Sequence, residues 1–291
     1  MHRIEHQDGA VATIALVDTE AQSRVVVAPA RGGMVTTFTV GAREILHLDR
    51  ATFDDPKANV RGGIPVLFPS PGKLANDTWS WRGVRGAMKQ HGFARNAAWT
   101  TIATGDDDGA WVTIALEPTD ATRAQFPFEF RLAFTYRLRG ASLAIEMRIA
   151  NEGAVAMPFG VGFHPYFAVA DADKGRVRIP TAATRAFDNK RKVDGAFTGF
   201  DLTAEEVDAH LHDHGGSEAT LATPSGDVVL RGSAELTHWV VWTLRGKDFV
   251  CLEPWTCPGN ALNTGEGLLV LEPGESREMQ LVIEAAGASA G

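Results

Sequence analysis

A chain of 291 residues with 44% hydrophobic and 22% charged residues has the proportions of a compact folded protein, which excludes disorder, collagen-like repeats and coiled coil. Its 36 acidic against 28 basic residues, a formal net charge of -8, offer no general attraction for phosphate backbones or anionic lipid. Nucleic acid and membrane are therefore not expected partners. Only two cysteines occur, Cys251 and Cys257, too few for a disulfide framework and not at a C-x-x-C spacing, so structural zinc and dithiol redox chemistry are disfavoured. The first residues, MHRIEHQDGA, lack the pattern of a signal peptide, and no run approaches 18 apolar residues, so a cytoplasmic protein is expected.

Taken in chain order, the first distinctive stretch is residues 54–95, rich in Pro, Gly, Trp and basic residues and without clear periodicity. Long irregular connections on a rigid scaffold are where sites tend to be built. Residues 111–116 read as a strand. In FEFRLAFTYRL, apolar Phe128, Phe130, Leu132, Phe134, Tyr136 and Leu138 alternate with Glu129, Arg131, Thr135 and Arg137, and Leu143, Ile145, Met147 and Ile149 repeat the pattern after Arg139-Gly140-Ala141-Ser142. This predicts an antiparallel hairpin. Thr203-Ala204-Glu205-Glu206 has the form of a capping box and predicts a short helix with Val207 and Leu211 four apart. Further strands are expected at 228–230, 239–244, 249–252 and 279–283, with the 30 glycines and 14 prolines supplying turns. The Ala/Gly/Ser tail from Gly287 is expected to fray. Strands alternating with regular helices, as a parallel sheet would need, are not visible.

Three separated stretches concentrate reactive side chains: Gln90-His91-Gly92-Phe93-Ala94-Arg95, Gly162-Phe163-His164-Pro165-Tyr166-Phe167 and Leu252-Glu253-Pro254-Trp255. Singly, each histidine has a bland reading as a hydrogen-bonded packing residue. His164, however, precedes a proline that biases it toward extended backbone at a strand end. Glu253 closes the apolar run Phe249-Val250-Cys251-Leu252, where desolvation would raise a carboxyl pKa and make it a candidate base. Arg61, Lys73 and Arg95 could fork onto sugar hydroxyls, and Trp79, Trp81 and Trp255 could offer flat faces to a sugar ring or serve as core.

GGIPVLFPSPGKLANDTWSWRGV, QHGFAR, GFHPYF and CLEPWTCPGNALNTGEGLLVLEPGES follow one another in an order that resembles the aldose 1-epimerase (galactose mutarotase-like) family, most closely its bacterial branch with GIPVLFP and HGFAR signatures. The resemblance runs from about Gly32-Gly33 to Gly274-Glu275. It implies one all-β domain over residues 1–291, a large antiparallel β-sandwich (supersandwich) with few short helices and a sugar cleft across one sheet. It also implies Glu253 as general base, His164 as general acid toward the ring oxygen, and His91 as the residue orienting the sugar. Arg61, Lys73, Arg95 and Trp255 are the expected substrate contacts. Lys73 stands where many relatives have arginine, which removes a bidentate donor there, and Asp213 is a poorly aligned candidate for a sugar-binding aspartate.

Anomer interconversion takes the O1 proton, protonates the ring oxygen, breaks C1–O5 and recloses, so an acid and a base on either side of the hemiacetal suffice. No metal, nucleotide or covalent intermediate is implied, and no cofactor-binding motif is present. Three alternatives stay open. Lys190-Arg191-Lys192 with Arg185 could cradle the phosphate of a hexose 6-phosphate, or simply face water. The fold could bind sugar without turnover. His210, His212 and His214 could hold zinc in a hydrolase if the segment were a strand, a reading the expected helix opposes. The partner is a small sugar in the first two cases, and the chain is a monomer or a homodimer.

Overall fold

The alternating segments of the mid-chain form the hairpin that their period dictates. In the computed structural model, which describes residues 1–287, Phe130–Arg139 and Ser142–Asn151 pair antiparallel along ten residues each. Gly140 takes the turn with φ 59, a left-handed value that glycine adopts without a Cβ penalty. Phe130, Leu132, Phe134, Tyr136 and Leu138 are fully buried, while Arg131, Thr135 and Arg137 face outward. The Tyr136 hydroxyl donates to the Gly33 carbonyl at 2.6 Å, which satisfies the phenol inside the core. Apart from Gly287 itself, the tail expected to fray lies outside the described residues.

This hairpin lies within a seven-stranded sheet ordered Glu218–Thr223, Gly226–Gly232, Ser276–Ala285, Ser142–Asn151, Phe130–Arg139, Ala110–Leu116 and Thr100–Gly105. A five-stranded meander carries the first 44 residues, from His2–Gln7 to Arg43–Glu44. An eight-stranded sheet runs Val193–Ala196, Arg185–Asp188, Glu206–Leu211, His238–Leu244, Phe249–Trp255, Gly162–Phe163 and Val66–Leu67, with Tyr166–Ala168 also paired to Phe249–Trp255. Every one of these strand pairings is antiparallel. One apolar cluster draws on all three sheets, with Val25 and Phe38 from the first, Phe134 and Leu281 from the second, and Val241 and Leu252 from the third. The architecture is an all-β sandwich, as expected. No helix among the described residues is long and apolar enough to cross a membrane.

Two local expectations are corrected. Thr203-Ala204-Glu205-Glu206 does not open a helix: Asp201 captures both the backbone N–H and the hydroxyl of Thr203, and Glu206–Leu211 is a strand paired residue by residue with His238–Leu244. Ladder bonding to a central strand outweighs a local cap signal. The strand expected at 249–252 continues to Trp255, so Glu253 sits inside it rather than at its emergence.

Candidate active site

Two-residue periodicity builds the site. On the inner face of the eight-stranded sheet, Val241, Val250 and Leu252 enter the core. The alternate residues turn to the other face, where Glu206, Asp208, His210, His238, Val240, Trp242, Glu253 and Trp255 line a cleft of about 930 Å³. Cross-strand register puts Val240 opposite Glu253, His238 opposite Trp255, and Asp208 opposite Trp242. A second wall is the irregular stretch expected to carry function: Asn59 to Arg61, Lys73 to Asn76, and Gln90, His91 and Arg95.

Short backbone bonds hold the histidines in place. His164 donates its N–H to the Pro65 carbonyl at 3.1 Å, and Tyr166 donates to Gly63 at 2.9 Å, so the GFHPYF segment is stitched to the GGIP segment. The Phe68 carbonyl accepts from both Phe93 and Ala94, at 3.0 and 3.3 Å, and the Phe68 ring packs edge-on against Phe93. That anchors the HGFAR segment to the LFP segment. His91 has φ 72, in the left-handed region that side chains rarely adopt, and its neighbour Gly92 has φ 68. A Cβ on Gly92 would collide with the Phe68 carbonyl, which accounts for glycine there. Strain of this kind at His91 persists where the surroundings over-determine the backbone, and functional sites are where it collects.

At the floor, His164 Nε2 lies 3.4 Å from Glu253 Oε1, and both side chains are almost wholly buried. His164 stacks on Tyr166 with ring centroids 4.7 Å apart, and His91 stands edge-on to His164 at 5.6 Å. Burial, and then the negative Asp208, push the Glu253 carboxyl well above the usual carboxylate range. Burial, with His91 and Arg95 nearby, pushes His164 well below the ordinary imidazole value. The Trp255 indole N–H lies beside the Glu253 carboxylate without hydrogen-bond geometry, and Glu253 Oε2, His164 Nδ1 and Arg95 Nε are buried without partners. His91 is pushed down to about 4, by burial and by Arg95, and its Nδ1 contacts the Pro71 carbonyl. A carbonyl only accepts, so Nδ1 carries the hydrogen and Nε2 keeps a lone pair.

A polar ledge flanks the pair. Asp208 accepts from Asn189 at 2.6 Å and lies 3.3 Å from His210 Nε2, whose Nδ1 is 3.3 Å from His238 Nε2. Burial would raise Asp208, but the bonds from His210 and Asn189 outweigh it and hold the carboxyl below its usual range. His238 stacks on Trp255 and is pushed down to about 3 by burial and by the neighbouring His210 and His212.

Seven of the residues singled out in the sequence, His91, His164, Glu253, Arg61, Lys73, Arg95 and Trp255, come together around this one cleft. Asp213 does not: it is exposed, and it accepts from Thr184 and from the Arg185 N–H. Two carboxylates, Glu206 and Asp208, face the cleft from the preceding strand Glu206–Leu211. Trp79 is core against Phe126 and Phe128, and Trp81 packs on the core under Arg82. Of the basic run only Lys192 reaches the cleft, since Lys190 pairs with Glu205 and Glu206, Arg191 with Asp188, and Arg185 with Asp194. His210 and His212 line the cleft, whereas His214 turns away to Thr181 and the Glu218 carbonyl. The cleft residues Asp208, His238 and Trp242 escaped the sequence reading, and His210 entered it only as a candidate zinc ligand. The polar–apolar alternation of Glu206-Val207-Asp208-Ala209-His210-Leu211-His212 is the signal that carries four polar positions of the cleft.

The large antiparallel sandwich, with His164 and Glu253 in contact in a cleft across one sheet, has the fold of solved galactose mutarotase-like structures. A galactose mutarotase-like protein from Clostridium acetobutylicum superposes with a TM-score of 0.82 at 20% identity, over 98% of this chain and 99% of that one. The chain belongs to the aldose 1-epimerase family, whose sequence profile matches residues 15–284. The Slr1438 protein from Synechocystis sp. PCC 6803 is 38% identical, with a TM-score of 0.93, over 99% of this chain and all of that one. A Cenchrus ciliaris protein provisionally named a glucose-6-phosphate 1-epimerase is 30% identical over 244 residues, 79% of this chain and 67% of its own length.

Proposed function

We propose that this chain interconverts the α and β anomers of an aldohexose, with residues 1–291 as one sugar-binding catalytic domain. The observation that carries the reading is the 3.4 Å contact between Glu253 and His164 at the floor of an open cleft. O1 and the ring oxygen are bonded to the same carbon, so two groups in mutual contact reach both; a wider separation on either side of the hemiacetal is not needed. With one proton shared between them, the unprotonated member takes the O1 proton while the other protonates the ring oxygen. C1–O5 then breaks, the aldehyde rotates about C1–C2, and closure exchanges the roles. In the forward opening Glu253 is the base and His164 the acid. His91 Nε2, with its lone pair free, accepts from a sugar hydroxyl, and Arg95 donates to ring substituents. Trp255 offers an apolar face to the ring.

Exchange between the anomeric NMR signals, measured over the spontaneous rate on a panel of aldoses, tests the reading; no acceleration of any member would end it. A second reading, a hexose 6-phosphate as substrate, has its own support. Arg61, Lys73, Arg95 and Lys192 line the cleft, and none is ion-paired to a carboxylate among the described residues. Charge-assisted bonds to phosphate would use such cations, and the Cenchrus ciliaris relative carries a name of that kind. A higher kcat/KM on glucose 6-phosphate than on glucose selects it.

A further inference from the structure

The strand that carries Glu253 carries a second potential metal ligand on the same face. Cys251 stands two residues before Glu253, opposite both Tyr166 and Trp242, and is completely buried with a free thiol. One ligand atom each from His164, Cys251 and Glu253 lies within 4.8 Å of the other two. We propose that these three side chains form an inhibitory site for a thiophilic divalent cation of the zinc class, which shuts off turnover by occupying the acid–base pair. The proposal rests on the function proposed above.

Three observations support it. Bonds of about 2.0–2.1 Å to nitrogen and oxygen place two tetrahedral zinc ligands about 3.4 Å apart, and His164 Nε2 and Glu253 Oε1 already stand at 3.4 Å. With a zinc–sulfur bond of about 2.3 Å, the Cys251 sulfur has no more than about 1.3 Å to close. The second oxygen of Glu253 is buried without a hydrogen-bond partner, so coordination breaks no existing bond there. Finally, His164 and Glu253 face the cleft, which leaves the fourth position open to water or a sugar hydroxyl, as in zinc sites with three protein ligands. Binding releases two protons to solvent, the thiol proton of Cys251 and the one shared by Glu253 and His164. Thiolate and carboxylate then neutralise the dication, so no net charge is added beside Arg95. Magnesium and calcium, which take six or more oxygen ligands, do not fit a His-Cys-Glu set.

The test uses the full chain with buffered free Zn²⁺. Anomer exchange by the wild type falls as Zn²⁺ rises, competitively with sugar, returns with chelator, and is indifferent to Mg²⁺ at the same concentration. Cys251→Ser keeps its metal-free turnover and needs at least about tenfold more Zn²⁺ for half inhibition, since even an outer-shell partner is worth roughly 10- to 100-fold. Titration with Co²⁺ gives a thiolate-to-cobalt charge-transfer band that Cys251→Ser lacks, a readout that needs no turnover and so separates failure of this site from failure of the proposed activity. Equal zinc sensitivity of wild type and Cys251→Ser, or of Zn²⁺ and Mg²⁺ in the wild type, or a missing cobalt band, overturns the proposal. The ion comparison and the cobalt band on the wild type keep it testable if the serine variant fails to fold.

Discussion

Glu253→Gln separates chemistry from architecture with the smallest change of shape. The amide keeps the carboxyl's outline and can donate to the neutral His164 Nε2 across the same 3.4 Å, but it cannot take a proton. General-base catalysis contributes typically 10² to 10⁴ in rate, so the variant should lose about 3–5 kcal/mol of barrier lowering at 1.36 kcal/mol per decade. Stability should move the other way. The native Glu253 carboxyl is held well above the usual range by burial, so the native state keeps a proton that the unfolded chain releases. A raised pKa of this kind contributes stability below the unfolded value, and that contribution is lost as pH rises through the native one, at up to about 1.36 kcal/mol per pH unit. Glutamine removes this penalty. The variant's Tm should therefore equal or exceed the wild type's at pH 7.5, with the difference closing toward about pH 4. NMR exchange between anomers, corrected for the spontaneous rate, and thermal unfolding at both pH values measure the two effects. Turnover within about threefold of the wild type, with folding intact, would refute the assignment of the base.

Asp208→Asn removes the charge that helps raise Glu253, so the shared proton leaves at lower pH and the alkaline limb of the kcat profile shifts down by up to about one unit; a stationary or rising limb contradicts the electrostatics. Asp213→Ala, altering a residue that bonds only Thr184 and Arg185 at the surface, should lower Tm slightly and leave KM for sugar unchanged, and a KM rise beyond about threefold would return Asp213 to the site. Tyr136→Phe strands the buried Gly33 carbonyl and should cost about 1–3 kcal/mol in denaturant unfolding without changing turnover per folded molecule.

Period-two runs made the scaffold legible, because a sheet with one buried face writes that face into every second residue. The hairpin around Gly140 follows its pattern from Phe130 onward, and residues 111–116 lie in a strand one residue longer. The cleft was legible where residues stand in dense motifs with Gly, Pro and aromatics: His91, Arg95, His164, Glu253 and Trp255. It was not legible along Glu206–Leu211, where Thr203 and Glu206 imitate a capping box. Local propensity could not show that His238–Leu244 lay ready to pair, so Asp208 was hidden, and the shared face of His210 and His212 was set aside, behind a wrong period. Trp242 and His238 gave no signal of their own. On a strand buried on both faces, an aromatic facing a ligand and one facing the core look alike.

Burial of the proposed acid–base pair looks costly until the direction of each shift is compared with the proposed reaction. In water an imidazole outcompetes a carboxylate for one proton by roughly two pKa units, about 3 kcal/mol, so a solvated Glu–His pair would keep its proton on the histidine. Taking both groups out of water raises Glu253 and lowers His164, and the two shifts act against that bias. The shared proton is thereby brought toward equal standing on either side, and its two placements titrate as one system. The proposed anomer interconversion gains from that balance, because the group that gives up a proton on ring opening takes one on ring closure and neither transfer is then steeply uphill. Desolvation by Tyr166, Trp242 and Trp255 around the floor of the cleft thus keeps the proton from being trapped on His164, and a variant that floods the floor with water should return it there and slow anomer exchange in both directions alike.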